Sequence, residues 1–246
     1  MEWRIVRLKE TGSTNQDAME AGRSGEPEGL AVTAELQTAG RGRMGRNWFS
    51  PPGRGIYCSA LLRPRISPEQ AGLLSFCAAN AMVSALGQAG FDARTKWPND
   101  VLCGGHKVCG ILSACDTSGG GLRFAVVGSG LNLYRGSYPE ELKDRAACLE
   151  EFGDVPDRET LLLSYLRELD REVTELEDRG FEPVRRRFEE KCLLAGRPVR
   201  VLGSCEADGI MRGIGPAGEL MLETENGEIR PFLTGDVSVR GVNGYV

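Results

Sequence analysis

Three arginines alternate with three glycines between Gly40 and Arg46, and Trp48 follows two residues later. Glycine lets backbone N–H groups approach an anion and tolerates the dihedral angles of a phosphate-cradling loop. Arginine adds paired donors that match the oxygens of phosphate or carboxylate. The segment is not a P-loop, because GxxxxGK[ST] does not occur in the chain. Taken alone, it fits a solvated basic loop or a nucleic-acid-binding tract equally well.

A second group of polar residues follows a predicted strand, in the segment Lys96-Trp97-Pro98-Asn99-Asp100. Proline favours an extended conformation in the residue before it, so we expect the strand to end there and a turn to present Asn99 and Asp100. A carboxylate and an amide at a strand end can hold a metal-bound phosphate or a ribose. An ordinary Pro-Asn-Asp turn is the alternative.

Two more segments place polar groups beside glycine at the ends of predicted strands. Lys107 heads an apolar strand that contains Gly110, which would put an ammonium beside a ligand lying against the backbone. The run 128–132, Gly-Ser-Gly-Leu-Asn, closes another strand and could form the floor of a pocket. A surface lysine and a tight strand end are the structural alternatives, so neither segment decides the matter alone.

The elements that position these segments follow from the hydrophobic pattern. A capping box of Ser13 with Gln16 predicts a helix that ends near Gly22. The stretch 38–55, rich in Gly, Arg and Pro, is expected to be a long functional loop. A further helix is predicted over 67–90. Another is predicted from 157 onward, and a last one follows it and ends near 194. Strands are predicted at 3–8, 29–36, 56–63, 93–97, 107–115 and 122–133.

The composition changes after Gly196 to short strands separated by glycine turns. Strands are predicted at 198–202, 211–214, 219–223, 229–232 and 236–240. Five short strands in about 45 residues are typical of a small barrel. We therefore expect two domains, 1–195 and 196–246.

Bulk composition excludes several functional classes. The 246 residues are 41% hydrophobic, as in a globular protein, and a net charge of −5 gives no overall attraction for nucleic acid or anionic membranes. The N-terminus lacks the apolar stretch of a signal peptide, and no run approaches the roughly 20 apolar residues of a membrane span. We therefore expect a cytoplasmic protein with neither nucleic acid nor membrane as a partner.

The eight cysteines include no CxxC pair and mostly lie in apolar runs, as reduced core thiols do. Cys103, His106, Cys109 and Cys115 offer an alternative interpretation as zinc ligands. The predicted strand between His106 and Cys115 disfavours that interpretation, because zinc sites of this kind use a knuckle.

Taken together and in this order, the segments resemble the successive motifs of the biotin protein ligases. The resemblance covers residues 5–135 and resumes at 235–240. It implies an α/β catalytic domain with a mixed sheet and packed helices, of the biotin/lipoate ligase type, followed by a small C-terminal SH3-like β-barrel. The motifs are Ser13-Thr14-Asn15, Gln37, Gly40–Trp48, Lys96–Asp100, Lys107–Leu112 and Gly128–Asn132.

Lipoate and octanoyl ligases and transferases share this fold, and they remain the main alternative. They are expected to lack both the Gly-Arg loop and the Lys-Trp-Pro-Asn-Asp block. Family members that also repress transcription carry a winged helix-turn-helix before the catalytic strand. Because that strand begins here at Trp3, we expect a monofunctional ligase.

The resemblance implies that ATP activates biotin to biotinyl-5′-AMP, which then acylates one lysine of a biotin carboxyl carrier domain of acetyl-CoA carboxylase or a related carboxylase. ATP and biotin are the substrates, Mg²⁺ accompanies ATP, and a homodimer stays open. The implied catalytic residues are Lys107, Arg41 and Arg43. The implied biotin contacts are Ser13, Thr14, Asn15, Gln37, Arg41, Gly42, Arg43, Lys107 and Gly110. The implied ATP contacts are Arg43, Trp48, Asn99, Asp100, Lys107, Asn132 and Arg240.

One departure from the family concerns the strand after Lys107. Many relatives carry a glutamate two residues after the Gly-Ile-Leu of this strand, whereas this chain has Ser113-Ala114. A contact made by that glutamate cannot be carried over.

Neither chemical step requires a nucleophile from the enzyme. His106 is the only histidine, which disfavours histidine-based acid–base catalysis. The expected catalysis is therefore positional and electrostatic. Two non-enzymatic alternatives are a nucleic-acid-binding module that uses the Gly-Arg loop and a biotin sensor. The retained Lys107 and Arg240 argue against the sensor.

Overall fold

The computed structural model describes residues 1–203, 205–233, 237–241 and 245–246, with the backbone alone described at 237 and 238. The helices are α1 (Thr14–Arg23), α2 (Leu74–Gln88), α3 (Arg158–Arg179) and α4 (Phe181–Glu190). The strands are β1 (Arg4–Thr11), β2 (Leu30–Gln37), β3 (Gly55–Leu62), β4 (Ala93–Lys96), β5 (Asp100–Cys103), β6 (His106–Asp116), β7 (Phe124–Asn132), β8 (Pro198–Gly203), β9 (Ala207–Ile214), β10 (Leu220–Glu223), β11 (Ile229–Phe232) and β12 (Val237–Gly241).

Seven strands form one mixed sheet in the order β1-β2-β3-β7-β6-β5-β4. Strands β1 and β2 are parallel, and their crossover is α1, as a parallel connection requires. The remaining neighbours are antiparallel. The predicted α/β class with a mixed sheet is confirmed.

The sheet is covered on both faces, and its strands are accordingly apolar on both sides. On β7, Phe124 and Val126 belong to a small core beneath α1, whereas Ala125 and Val127 belong to the main core beneath α2. This alternation follows from the two-residue period of a strand. The cavity described below opens on the face of the sheet that α1 covers, beside Gly128 and Gly130, which follow these apolar residues on β7.

Helix α2 packs close to the sheet because small residues such as Ala78, Ala81 and Ala85 are buried along it. The segment Pro68–Gln88, which adds a 3₁₀ turn to α2, has the length and hydropathy of a membrane span. The expectation that no run of about 20 apolar residues occurs is not contradicted, because Ser75, Asn80 and Ser84 interrupt the segment. Since 72% of its most apolar 18-residue stretch is buried inside the protein, the segment packs as a core helix.

Two local predictions are corrected. Ser13 is the N-cap residue of α1, but its side chain makes no capping hydrogen bond, whereas a capping box occurs at Ser67 with Gln70. Strand β5 was missed because it has only four residues. It follows a turn with a cis peptide bond between Trp97 and Pro98, so Asp100 opens a strand rather than lying in the turn.

The C-terminal strands form an antiparallel sheet in the order β11-β10-β9-β8-β12. The five strands agree with prediction and are consistent with an SH3-like barrel, although pairings between described residues do not close it. Val199, Met211 and Leu220 join the same core as the large sheet. The resemblance at Gly235 and Asp236 lies outside the described residues.

The cysteines do not assemble a metal site. Within the described ranges, no group of three or more His, Cys, Asp or Glu side chains could hold a metal ion. Cys103 and Cys109 are buried and Cys115 is exposed. Burial raises the pKa of the Cys103 thiol to about 12, as expected for an inert core thiol. The described residues therefore give no support to the zinc interpretation.

Candidate active site

A cavity of about 460 Å³ opens between the large sheet, the loop 38–54 and the C-terminal sheet. Every predicted site residue lines it, including Arg41, Arg43 and Lys107, which lie far apart in the sequence. The full set is Ser13, Thr14, Asn15, Gln37, Arg41, Gly42, Arg43, Trp48, Asn99, Asp100, Lys107, Gly110, Asn132 and Arg240.

The floor of the cavity is formed by glycines on two neighbouring strands. A Cβ on Gly130 would lie 2.3 Å from Nε1 of Trp48, and one on Gly110 would lie 2.8 Å from Cζ3 of the same indole. The Trp48 ring therefore lies directly over β6 and β7, with the Lys107 ammonium 5.3 Å from its centre. Any larger residue at either glycine would displace the ring.

The end of the cavity beside α1 is polar but uncharged. Gln37 Oε1 accepts hydrogen bonds from the backbone N–H of Thr14 (3.0 Å) and from its hydroxyl (3.1 Å). The Thr14 hydroxyl also pairs with Ser59 (2.9 Å), and the Gln37 amide donates to Ser50 (2.8 Å). Ser13 and Thr14 are 2% and 3% exposed. This end suits a neutral ligand that offers both donors and acceptors.

The opposite end is cationic and centres on an ion pair. Lys107 Nζ lies 2.5 Å from Asp100 Oδ1, and the hydroxyl of Tyr245 donates to Asp100 Oδ2 at 2.6 Å. Burial opposes ionisation of this carboxyl, but Lys107 and the Tyr245 hydrogen bond outweigh it and hold the pKa of Asp100 below its usual value. The carboxylate is therefore charged and fixed in orientation.

The arginine loop folds over the cavity as a short hairpin. Arg41 and Asn47 form an antiparallel bridge, and the reversal between them uses left-handed backbone at Met44 and Gly45. Arg43 donates to Asn99 Oδ1 at 3.3 Å. Burial, together with the charge of Arg46, lowers the pKa of the Arg43 guanidinium against the opposing effect of Asp100. The partly buried guanidinium of Arg43 and the exposed ones of Arg41 and Arg46 favour an anionic ligand at this loop.

Apart from Asp100 Oδ1, which is ion-paired with Lys107, three buried polar atoms that line the cavity lack a hydrogen-bond partner among the residues the structure describes. They are Nε1 of Trp48, Oδ1 of Asn132 and Oγ of Ser137. Buried polar groups are nearly always paired, so an unpaired set at one place indicates a missing ligand. This cavity therefore fits an elongated ligand with a neutral polar end and an anionic part.

Comparison with known proteins identifies the family. Residues 8–132 match the biotin/lipoate A/B protein ligase family, and residues 195–240 match the biotin protein ligase C-terminal domain. The chain is 37% identical to the bifunctional ligase/repressor BirA of Escherichia coli K12 over 96% of its own length and 74% of that protein. It is also 37% identical to the biotin–[acetyl-CoA-carboxylase] ligase of Paracoccus denitrificans, over 87% of this chain and 92% of the relative. The chain belongs to the biotin protein ligase family.

A solved biotin protein ligase from Aquifex aeolicus, in complex with biotin and ATP, has the same architecture. Its TM-score is 0.84 at 31% identity, covering 97% of this chain and 99% of that one. In this chain, the residues that depart from the family pattern, Ser113 and Ala114, do not line the cavity. The Ser113 hydroxyl pairs instead with that of Ser75 at 2.9 Å.

The cavity also contains residues that were not among the predicted contacts, and Lys96 is the most unusual of them. Lys96 is 1% exposed, and its ammonium donates to the carbonyl of Tyr245 at 2.7 Å. Burial lowers the pKa of Lys96 to about 7, aided by repulsion from Arg240 and Lys107 and opposed by Asp100. The segment 93–97 was predicted as a strand, and nothing in it indicated that the lysine points into the cavity. The other residues absent from the predicted contacts are Arg46, Ser59, Ser137, Arg145 and Tyr245.

The residues present do not fit a magnesium ion held by the protein. Asp100 is the carboxylate predicted for metal or nucleotide, but both of its oxygens are taken, by Lys107 and Tyr245. Asn99 donates to the carbonyl of Ile111 at 2.5 Å and accepts from Arg43. These two side chains brace the cations of the cavity instead.

Proposed function

We propose that this chain activates biotin with ATP to biotinyl-5′-AMP and then transfers the biotinyl group to a lysine of a carrier protein. The main observation that supports this proposal is that Arg41, Arg43 and Lys107 line one cavity, whose other end is uncharged and offers hydrogen-bonding groups. Biotin has this polarity: an uncharged ureido ring at one end and a carboxylate at the other. The second substrate, ATP, supplies the phosphate at which the carboxylate reacts.

The uncharged end would take the ureido ring of biotin. Ser13, Thr14 and Gln37 offer hydroxyl and amide groups there, and Asn15 is held nearby by its bond to the carbonyl of Leu112 (3.1 Å). Gly110 would let the carboxylate tail lie against β6. Gly42 would supply backbone contacts in the arginine loop.

The cationic end would take ATP. Trp48 would pack against the adenine ring, and Asn132, whose Oδ1 lacks a partner among described residues, would contact the nucleotide. Arg43 and Arg240 would bind phosphates. Asn99 and Asp100 would lie near the nucleotide. They would hold the Arg43 and Lys107 side chains, with which they are in contact.

Neither of the two reaction steps requires a nucleophile from the enzyme. A carboxylate oxygen of biotin attacks the α-phosphorus as the bond to pyrophosphate breaks. The neutral amine of the acceptor lysine then attacks the acyl carbon, AMP leaves, and the amine loses a proton. Lys107, Arg41 and Arg43 would neutralise the growing phosphorus-centred charge, so the chain contributes position and positive charge.

The remaining parts of the proposal concern organisation. The match of residues 195–240 to a C-terminal domain model supports a boundary near residue 195. The name of the Paracoccus relative supports a carrier domain of acetyl-CoA carboxylase as the acceptor. A cytoplasmic location and the absence of nucleic-acid and membrane partners follow from charge and composition. A homodimer stays open.

Mass spectrometry of a carrier domain tests the proposal. The domain is incubated with this protein, ATP, Mg²⁺ and, in separate reactions, biotin, lipoate or octanoate. We expect the mass of one biotinyl group to be added, only with ATP and biotin, and none on a carrier whose acceptor lysine is replaced by arginine. Modification by lipoate or octanoate instead would support the alternative ligases, and no modification would reject the enzyme.

A further inference from the structure

Tyr245 lies against two cations that line the cavity, Lys96 and Arg240. The centre of its ring is 3.2 Å from the Lys96 ammonium and 4.9 Å from the Arg240 guanidinium. Val246 packs on the β5–β6 turn, where a Cβ on Gly105 would lie 3.2 Å from it. The C-terminal end is thus anchored on the large sheet.

Tyr245 is hydrogen-bonded to the carboxylate that holds Lys107. Oδ1 of Asp100 contacts Lys107, and Oδ2 accepts the hydrogen bond from the Tyr245 hydroxyl. A hydrogen bond to a carboxylate is short and strong, and it fixes rotation about the last side-chain torsion. Without the phenol, the carboxylate would be held from one side only, and the direction of the Lys107 ammonium would vary.

Tyr245 forms a wall of the active site and does not fill it. The cavity of about 460 Å³ is open with the ring in place. Tyr245 also lines a second cavity, together with Arg46, Arg145 and Arg240. A residue that lines two cavities, bonded to a lysine and an aspartate of the site, is placed to support the cations rather than to block a substrate.

We propose that Tyr245 is a positioning residue for adenylation: its hydroxyl orients Asp100 and thereby Lys107, and its ring holds Arg240 at the cavity. The inference rests on the proposed function. It assigns a catalytic contribution to the C-terminal end of the chain, beyond the residues that the family resemblance implies.

Biotin-dependent ATP–pyrophosphate exchange by Tyr245→Phe tests this inference. Phenylalanine keeps the ring and removes only the donor to Asp100, so we expect kcat to fall roughly tenfold to hundredfold, the usual scale for a lost bond to a charged group. The biotin Kd should stay unchanged, and the loss of kcat should persist at temperatures well below the melting transition of the variant. Tyr245→Ala should add a rise in the KM for ATP, because Arg240 also loses its ring. Tyr134→Phe, which removes a phenol outside the cavity, is the matched control.

The pH profile separates positioning from a structural role. The Tyr245 hydroxyl helps to lower the pKa of Asp100, so its removal should move the acidic limb of kcat to higher pH. An unchanged rate and limb would overturn the inference, and a faster reaction would make Tyr245 an obstruction and also overturn it. An inactive wild-type protein would overturn the proposed function and this inference together, whereas an active wild type with an unaffected Tyr245→Phe variant would overturn this inference alone.

Discussion

At the scale of one residue, Lys96 shows the effect of burying a lysine among the other cations of the site. Its side chain is almost fully buried, near Lys107 and Arg240, and Asp100 and the carbonyl of Tyr245 compensate its charge. Burying an ammonium disfavours its charged form. The folded protein therefore binds the Lys96 proton less tightly than the unfolded chain does.

This difference predicts a pH-dependent effect of Lys96→Met on stability. The pKa of Lys96 is about 7 in the folded state and about 10.4 for an unperturbed lysine. Protonation thus favours unfolding, most strongly below pH 7, and the penalty fades as pH rises toward 10. Relative to wild type, the variant should gain more unfolding free energy at pH 6 than at pH 9.5, by up to about 3 kcal/mol.

Chemical denaturation at the two pH values measures this change. Lys9→Met, on an exposed part of β1, is the control, and its effect should be nearly the same at both pH values. A pH-independent effect of Lys96→Met would show that the lysine keeps its ordinary pKa.

At the scale of elements, the floor of the site depends on two strands that approach Trp48 without side chains. Gly130→Ala would place a methyl group within 2.4 Å of two atoms of the indole. Because Trp48 lies on a loop, the ring should move rather than the strand. We expect adenylation to fall about tenfold to hundredfold, with a change in tryptophan fluorescence and little loss of melting temperature.

Gly121→Ala is the matched control for this substitution. Gly121 lies between β6 and β7, and an added Cβ meets no heavy atom within 4 Å. Equal activity of the two variants would show that the position of the Trp48 ring does not matter for the reaction.

The sequence predicted these elements well wherever a periodic pattern extended over many residues. Strands β2, β3, β6 and β7 have long apolar runs, and their positions were predicted to within a few residues. Strand β5 was missed because it is only four residues long, which is too short to show a two-residue hydrophobic period. The site residues were predicted as a set by the family resemblance. Tyr245 was missed because its role depends on a contact with Asp100, 145 residues away.

At the scale of the whole molecule, the C-terminal sheet is joined to the catalytic part by buried polar contacts. Trp97 donates to the carbonyl of Gly218 at 3.0 Å, and the N–H of Ile214 donates to Glu189 at 2.6 Å. Arg185 donates to the carbonyl of Ile214 at 2.8 Å. Residues of both sheets also share one apolar core.

A shared core predicts that the two parts unfold together. Urea unfolding followed by tryptophan fluorescence and by far-ultraviolet circular dichroism should give one coincident transition, because independent domains would separate. Trp97→Phe, which removes the donor to Gly218, should lower the midpoint without splitting the transition. Two separate transitions in wild type would contradict the single core.

The central claim is that Lys107 stands where the carboxylate of biotin meets the α-phosphate of ATP. Biotin-dependent ATP–pyrophosphate exchange by Lys107→Ala, with Lys9→Ala as the control for losing a lysine, measures that step directly. We predict a loss of roughly 10²–10³-fold for Lys107→Ala, the scale for removing one charge-stabilising donor, with an unchanged circular dichroism spectrum and near-normal exchange in the control. Near-normal exchange by Lys107→Ala would contradict the account.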